Sequence, residues 1–153
     1  MNEIEEIKKR YEARKKNMDQ SKYDSKNYYI NSIVREREIL YKQIITNHFN
    51  QLNTLKMLEI GAGNGGNINA FRNFGIPANQ IVANELLKDR IEILKLNYPE
   101  STTIEGNALD INEDYKFDIV FQSTVFTSIL DDEFKKKLAK KMLDFTKPNG
   151  IVL

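Results

Sequence analysis

Leu55-Lys56-Met57-Leu58-Glu59-Ile60-Gly61-Ala62-Gly63-Asn64-Gly65-Gly66 is an apolar run that stops abruptly on glycines. A short run of this kind suits a strand buried on both faces. The glycines after it suit a tight turn in which main chain must adopt angles closed to other residues. Downstream, Ile68, Phe71 and Phe74 recur at helical spacing until Gly75 and Pro77 end the helix. Ile81-Val82-Ala83 reads as a second strand, and Leu87, Ile91 and Leu94 as a second helix that closes before Pro99. Thr102-Thr103-Ile104 and Phe117-Asp118-Ile119-Val120-Phe121 read as a third and a fourth strand. Asp131 or Asp132 caps a helix carrying Phe134, Leu138, Met142 and Phe145 on one side. Its lysines, Lys135, Lys136, Lys137, Lys140 and Lys141, make the solvated side. Lys147-Pro148-Asn149-Gly150 then turns the chain into Ile151-Val152-Leu153, the start of a fifth strand. Strands alternating with helices of this length predict an α/β fold, a doubly wound and mainly parallel sheet.

All seven glycines follow position 60, so residues 1–50 form a separate, helical part. Ile4, Ile7, Tyr11 and Met18 follow one helical stripe. After a polar break from Asp19 to Asn27, Ile30, Ile33, Val34, Arg37, Tyr41, Ile44, Ile45 and His48 follow a stronger one. The expected division is a helical cap over 1–50 and a ligand-binding sheet domain over 51–153. Tyr23, Tyr28 and Tyr29, with Arg10 and Arg14 upstream, suggest a lid suited to sugar or ring recognition.

Composition narrows the chemistry. A chain of 153 residues is one domain. Its net charge of +1 gives no global field for nucleic acid or an anionic membrane. With no cysteine and a single histidine, no metal site is expected. The opening MNEIEEIKKR is charged from the third residue and is no secretory leader, and no apolar run is long enough to span a membrane. The expected setting is the cytoplasm.

In a doubly wound sheet, ligands bind beyond the carboxyl ends of the strands, at the switch point beside the first strand. That is where the glycines fall. Gly61, Gly63 and Gly66 satisfy the G-x-G-x-x-G of dinucleotide sites, and Gly61, Gly63 and Gly65 equally satisfy G-x-G-x-G. Glu59, at the strand end, can meet a cationic amino group directly or through water. Glu85, at the end of the second strand, can accept both hydroxyls of a ribose, whether of NAD or of any other adenosine.

Five segments then carry a resemblance. Leu58-Glu59-Ile60-Gly61-Ala62-Gly63-Asn64-Gly65 resembles the first motif of the class I S-adenosylmethionine-dependent methyltransferases, and Ala83-Asn84-Glu85-Leu86 their acidic second-strand motif. Glu105-Gly106-Asn107-Ala108 resembles the third-strand motif, where Asp-Ala is more usual. Phe117–Gln122 and Lys147–Leu153 resemble the fourth- and fifth-strand motifs. The segment Gln122–Asp131 is also similar to bacterial methyltransferase-domain proteins, some associated with surface polysaccharides. The resemblance implies a Rossmann-like methyltransferase fold with S-adenosyl-L-methionine as cofactor. It implies that Gly61, Gly63 and Gly65 pack against the methionine part and that Glu59 orients its amino group. Glu85 would hold the ribose and Leu86 cover adenine, while Asn107 and the Ala108 amide meet its edge. Gln122 and Ser123 would stand near the reactive methyl.

The function expected is in-line methyl transfer to a small-molecule or saccharide acceptor, with nucleic acid and membrane not among the partners. A hydroxyl acceptor also needs a general base, for which Glu12, His48 and Ser123 are the candidates. His48 has a competing reading as a packed, hydrogen-bonded structural residue. Two alternatives stay open, an NAD-dependent oxidoreductase and a non-catalytic cofactor-binding or interaction module. The family pattern continues into a further helix and hairpin, so a sheet cut short in the fifth strand is expected. Its bare edge would invite a homodimer.

Overall fold

Met57–Ile60, the first strand, is buried along its whole length, and the fold is arranged around it. A computed structural model describes residues 2–17, 28–112 and 114–153. In chain order the elements are α1 (Glu3–Asn17), α2 (Tyr28–His48), β1 (Met57–Ile60), α3 (Gly66–Phe74), β2 (Ile81–Glu85), α4 (Lys88–Asn97), β3 (Thr102–Glu105), β4 (Phe117–Gln122), α5 (Asp132–Phe145) and β5 (Thr146–Val152). The strands form one parallel sheet in the order β3-β2-β1-β4-β5. β1 pairs β2 through Met57–Ile81 and β4 through Met57–Ile119, so the direction of winding reverses across it. This is the doubly wound α/β sheet that the strand pattern predicts.

Side-chain alternation splits the core in two. Met57 joins Ile81, Ala83, Ile119 and Phe121 under α2, α3 and α4, which contribute Ile45, Ile68, Phe71, Ile91 and Leu94. Leu58, Ile60, Phe117 and Val120 face the other way, against Leu138, Met142 and Phe145 of α5 and Ile7 of α1. Aromatic edges set the first layer: the Phe71 ring stands 4.8 Å from Phe121 and Tyr41 stands 5.1 Å from Phe121, both edge-on. Since α2 buries Ile45 completely in the strand core, the N-terminal helices and the sheet share one interior.

Helix ends follow local chemistry. Asp131 caps α5 by accepting the Phe134 N–H, 2.9 Å away. Gly75 closes α3 with paired bonds, its own N–H to Arg72 O and the Ile76 N–H to Phe71 O, and Ile76 is buried beside them. Lys141 departs from the solvated lysine face expected of α5. It is buried, with its ammonium 5.2 Å over the Phe145 ring.

The fifth strand also differs from the sequence reading. β5 begins at Thr146, opposite Phe117, and Lys147–Gly150 is a bulge within it before pairing resumes at Ile151 opposite Ile119. Asn149 takes a φ of 65° there. The segment therefore reads as a turn locally, while the strand continues on both sides of it. Met18 and the polar break at 19–27 lie outside the described residues.

Truncating Ile45 tests whether α2 is structural. Ile45→Ala should lower the unfolding free energy by about 2–5 kcal/mol, the range for a fully buried large-to-small change. Urea denaturation followed by far-UV circular dichroism measures it; a loss under about 0.5 kcal/mol would mean that α2 only rests on the sheet.

Candidate functional site

The loop after β1 carries left-handed backbone at Gly61, Gly63 and Gly65, with φ of 68°, 59° and 88°. Two of these positions have distinct reasons. A Cβ on Gly65 would lie 2.2 Å from Cε2 of Tyr98, so this residue lets the start of α3 pack tightly. A Cβ on Gly63 would meet nothing within 4 Å, so bare main chain faces open space. The loop is held from the neighbouring strand. Glu85 accepts the Gly63 N–H on Oε2 at 2.8 Å and the Leu87 N–H on Oε1 at 2.9 Å. Asn84, also buried, donates from Nδ2 to Ile104 O and Gly106 O and so fixes the turn after β3.

These loops enclose a cavity of about 740 Å³ at the carboxyl ends of β1, β2 and β4, within the usual span for small-molecule sites. Of the residues singled out in the sequence, Gly61, Gly63, Glu85, Leu86, Asn107, Ala108 and Ser123 line it. Ile4, Ile7, Tyr11 and Arg14 of α1 close one side, and Val34 and Arg37 of α2 another. α1 is tied down by polar contacts. Arg10 bonds Glu3 at 2.6 Å and the Ser128 carbonyl at 3.0 Å, the Tyr11 hydroxyl meets Ser128 Oγ at 3.1 Å, and Lys15 pairs with Asp89.

Other candidates fall elsewhere. Gln122 turns its Oε1 to the Val125 N–H at 3.0 Å and shapes the loop after β4. Glu12 is exposed on α1, outside the cavity wall. His48 ends α2 against the β5 bulge, with Nε2 2.9 Å from Asn149 O and its ring edge-on to Phe49. Those contacts belong to the structural reading of His48, at the end of the sheet where the strands begin. Of the lid residues expected from the sequence, Arg14 lines the cavity and Arg10 anchors α1 beside it. Tyr28 and Tyr29 are 86% and 71% exposed and line no part of the cavity, and Tyr23 lies outside the described residues.

Glu59 is wholly buried behind Asn67. Its Oε1 accepts from Asn67 Nδ2 at 2.7 Å, and its Oε2 has no partner. Burial pushes the carboxyl up to about 8; the charge of Glu85 adds to this, while the Asn67 bond and Arg37 oppose it. Arg37 reaches Ser123 Oγ at 3.3 Å and Asn67 Oδ1 at 3.4 Å.

Residues 58–153 match the family model described as a methyltransferase domain. The chain belongs to this methyltransferase family. Its sheet is the class I fold of the S-adenosylmethionine-dependent members. Among solved structures, it is similar to the S-adenosylmethionine-bound amino pentose methyltransferase CalS10 from Micromonospora echinaspora, with TM-score 0.67 and 15% identity over 76% of this chain and 48% of that one. The sugar N-methyltransferase KedS8 from a Streptoalloteichus species gives TM-score 0.64 and 11% identity over 75% and 45%. A TehB-like methyltransferase from Corynebacterium glutamicum gives 0.59 and 15% over 80% and 68%. The chain thus spans about half the length of the two sugar methyltransferases. No curated protein sequence matches it.

The residues present fit a methyl donor with an amino-acid end and a nucleoside end. The open face at Gly63 leaves room for a ligand against main chain, while Glu59 does not line the cavity: Asn67 stands in the wall in front of it, and its Oε2 is buried without a partner. Sequence reading missed Asn67, Tyr11 and the role of Arg37 in the wall. Tyr11 and Arg37 do carry a signal, Tyr11 on the stripe with Ile4 and Ile7, and Arg37 as a charge in register with Val34 and Tyr41 on an apolar stripe.

The Glu59 shift carries a pH dependence. The unfolded carboxyl loses its proton near 4.5 and the folded one near 8. Between these values the folded chain holds the extra proton, so this group's contribution to stability falls as pH rises from 4.5 to 8. Glu59→Gln keeps an acceptor for Asn67 and cannot ionise. It should match the wild type at pH 4.5 and exceed it by roughly 2–4 kcal/mol at pH 8. Chemical denaturation at the two pH values checks this, and parallel stabilities across the window would refute it.

Proposed function

We propose that this chain binds S-adenosylmethionine along the glycine loop and directs its methyl group to a small-molecule or saccharide acceptor. One observation carries the reading: Gly61, Gly63, Glu85, Leu86, Asn107 and Ala108 converge on one cavity at the switch point of a methyltransferase-family sheet. S-adenosylmethionine supplies a methyl already activated by a positively charged sulfur. The protein's own part is then to bind, align and exclude water, and alignment of two reactants is worth about 7–11 kcal/mol.

In this reading the main chain at Gly61 and Gly63 lies along the methionine part, with Gly65 setting the turn. Glu59 serves its amino group, and that contact favours the ionised carboxylate. Glu85 has lone pairs left beyond the two N–H groups it already accepts, and these take the ribose hydroxyls. Leu86 covers one adenine face. Asn107 offers its side-chain oxygen to the exocyclic amine, and Ala108 its N–H to a ring nitrogen. Asn107 Oδ1 already accepts the Leu109 N–H at 3.1 Å, so the side chain is held in place for this. Gln122 supports the loop that presents Ser123, and α1 acts as the cap that keeps water out. Ser123, Thr124 and Thr127 give the wall after β4 hydroxyl groups suited to a polar acceptor. A saccharide is further supported by the amino pentose and sugar substrates named for CalS10 and KedS8.

Thermal-shift titration with S-adenosylhomocysteine, alongside NADH, tests the reading. At 100 times Kd a ligand stabilises by about 2.7 kcal/mol, a rise of roughly 5–10 °C for a chain of this size. The expected result is a shift with S-adenosylhomocysteine alone. A shift with NADH alone would make the site a dinucleotide site, and no shift with either would reject the donor assignment.

A second variant probes the adenine end. Asn107→Asp keeps the oxygen that caps the following turn and adds charge to the acceptor. It should tighten S-adenosylhomocysteine binding by roughly three- to tenfold. Calorimetric titration of both proteins decides it; weaker binding by the Asp variant would remove residue 107 from the adenine contact.

A further inference from the structure

Among the described residues two acids line the cavity, Glu38 and Glu85, and they differ in how far they are committed. Glu85 spends both oxygens on main-chain N–H groups and stands 3.9 Å from Arg90. Glu38 lies on the cavity side of α2, one turn after Val34, and is half-buried. Among the described residues its carboxylate has no hydrogen bond and no ion pair, although Lys42 follows one turn later on the same helix. Half-burial takes water from a charged group without supplying a partner, which leaves an open place for a cationic donor.

The loop after β4 has the same character. Arg37, next to Glu38 in the chain, donates to Ser123 Oγ at 3.3 Å, so this stretch of α2 and that loop meet at one end of the cavity. Thr124 donates its hydroxyl proton to Ser123 O at 2.6 Å, and Thr127 donates its own to Thr124 O at 2.6 Å. A hydroxyl that has spent its proton offers only lone pairs. Thr124 also takes a left-handed φ of 64°, which a β-branched residue rarely adopts, and its carbonyl is held there by Thr127 and by Ser128 Oγ at 3.5 Å. This end of the cavity is therefore rich in acceptors, and it calls for an occupant rich in donors. An alkylammonium is such a group, with a positive charge, three N–H donors and no lone pair.

We propose that Glu38 is the acceptor-binding carboxylate of this cavity and that the acceptor is an amine on a polyhydroxylated frame, of the amino-sugar class. The proposal rests on the cavity being the methyl-transfer site and narrows what that site methylates. The ammonium seats on Glu38, and hydroxyl groups of the same molecule lie along Thr124 and Thr127. Glu38 also receives the proton that a bound ammonium loses before its nitrogen has a lone pair to offer. The methyl donor carries an ammonium of its own, and the test separates the two.

NMR-detected titrations of wild type, Glu38→Gln and Glu38→Asp decide it, each protein saturated with S-adenosylhomocysteine. The probes are two matched pairs, glucosamine against glucose and serinol against glycerol, each an amine beside its neutral hydroxyl counterpart. Wild type should prefer the amine of each pair by about tenfold or more. The Gln variant should bind both members alike and the Asp variant keep part of the preference, while all three hold S-adenosylhomocysteine equally. Wild type without the preference, or a Gln variant that retains it, overturns the proposal. A Gln variant that binds S-adenosylhomocysteine about tenfold more weakly also overturns it, because Glu38 then serves the donor's amine. Should wild type bind no S-adenosylhomocysteine, the donor reading fails on its own, and the same pairs titrated into the empty chain still decide Glu38. Melting temperatures without ligand confirm that both variants are folded.

Discussion

Two backbone N–H groups from different loops end on the carboxylate of Glu85, one from Gly63 and one from Leu87. The side chain is almost completely buried, and a buried carboxylate is tolerated only when hydrogen bonds replace its water. The constraint runs both ways. The acid needs those donors, and the donors belong to a glycine-rich loop and a helix entrance that otherwise have no fixed relation to one another. Through this single group the end of β2 sets the distance between the loop after β1 and the start of α4. The floor of the cavity follows from that distance.

Glu59 is one strand away and has the opposite character. It shares the burial of Glu85 but has one partner, Asn67, and one oxygen with none. Its proton affinity rises because burial is uncompensated. The pair shows one residue type in two states at neighbouring strand ends: a carboxylate satisfied by main chain that builds the frame, and one buried with an oxygen left unpaired.

The parts legible in the sequence are those governed by local rules. Strand positions came from apolar runs broken by glycine, and the helices of the sheet from their spacing. The switch point and Glu85 followed from strand order and strand ends. What stayed hidden depends on how distant pieces pack. The stripe Ile4, Ile7, Tyr11 identifies the inward face of α1, yet nothing local says that this face meets Ser128 and the cavity. Tyr28 and Tyr29 show the reverse: their aromatic character suggests recognition, while their place at the start of α2 leaves them in solvent. His48 shares the apolar stripe of α2 in the sequence, yet it is an exposed residue held against a carbonyl of the β5 bulge. That bulge has the turn chemistry of Pro148-Asn149-Gly150, and only pairing with β4 reveals a continuing strand.

The central place of β1 has a consequence for the chain as it is made. Its β2 neighbour arrives within 25 residues along the chain, but β4, its partner on the other side, begins only at Phe117. Leu58 and Ile60 rely for their cover on α5, which begins at Asp132. During synthesis the first strand therefore emerges with one edge and one apolar face lacking native partners until some sixty to eighty further residues have followed. Late, non-local closure of this kind slows folding and leaves sticky surface open to other chains. For the nascent polypeptide, the strand at the heart of the finished sheet is the one that waits longest for shelter.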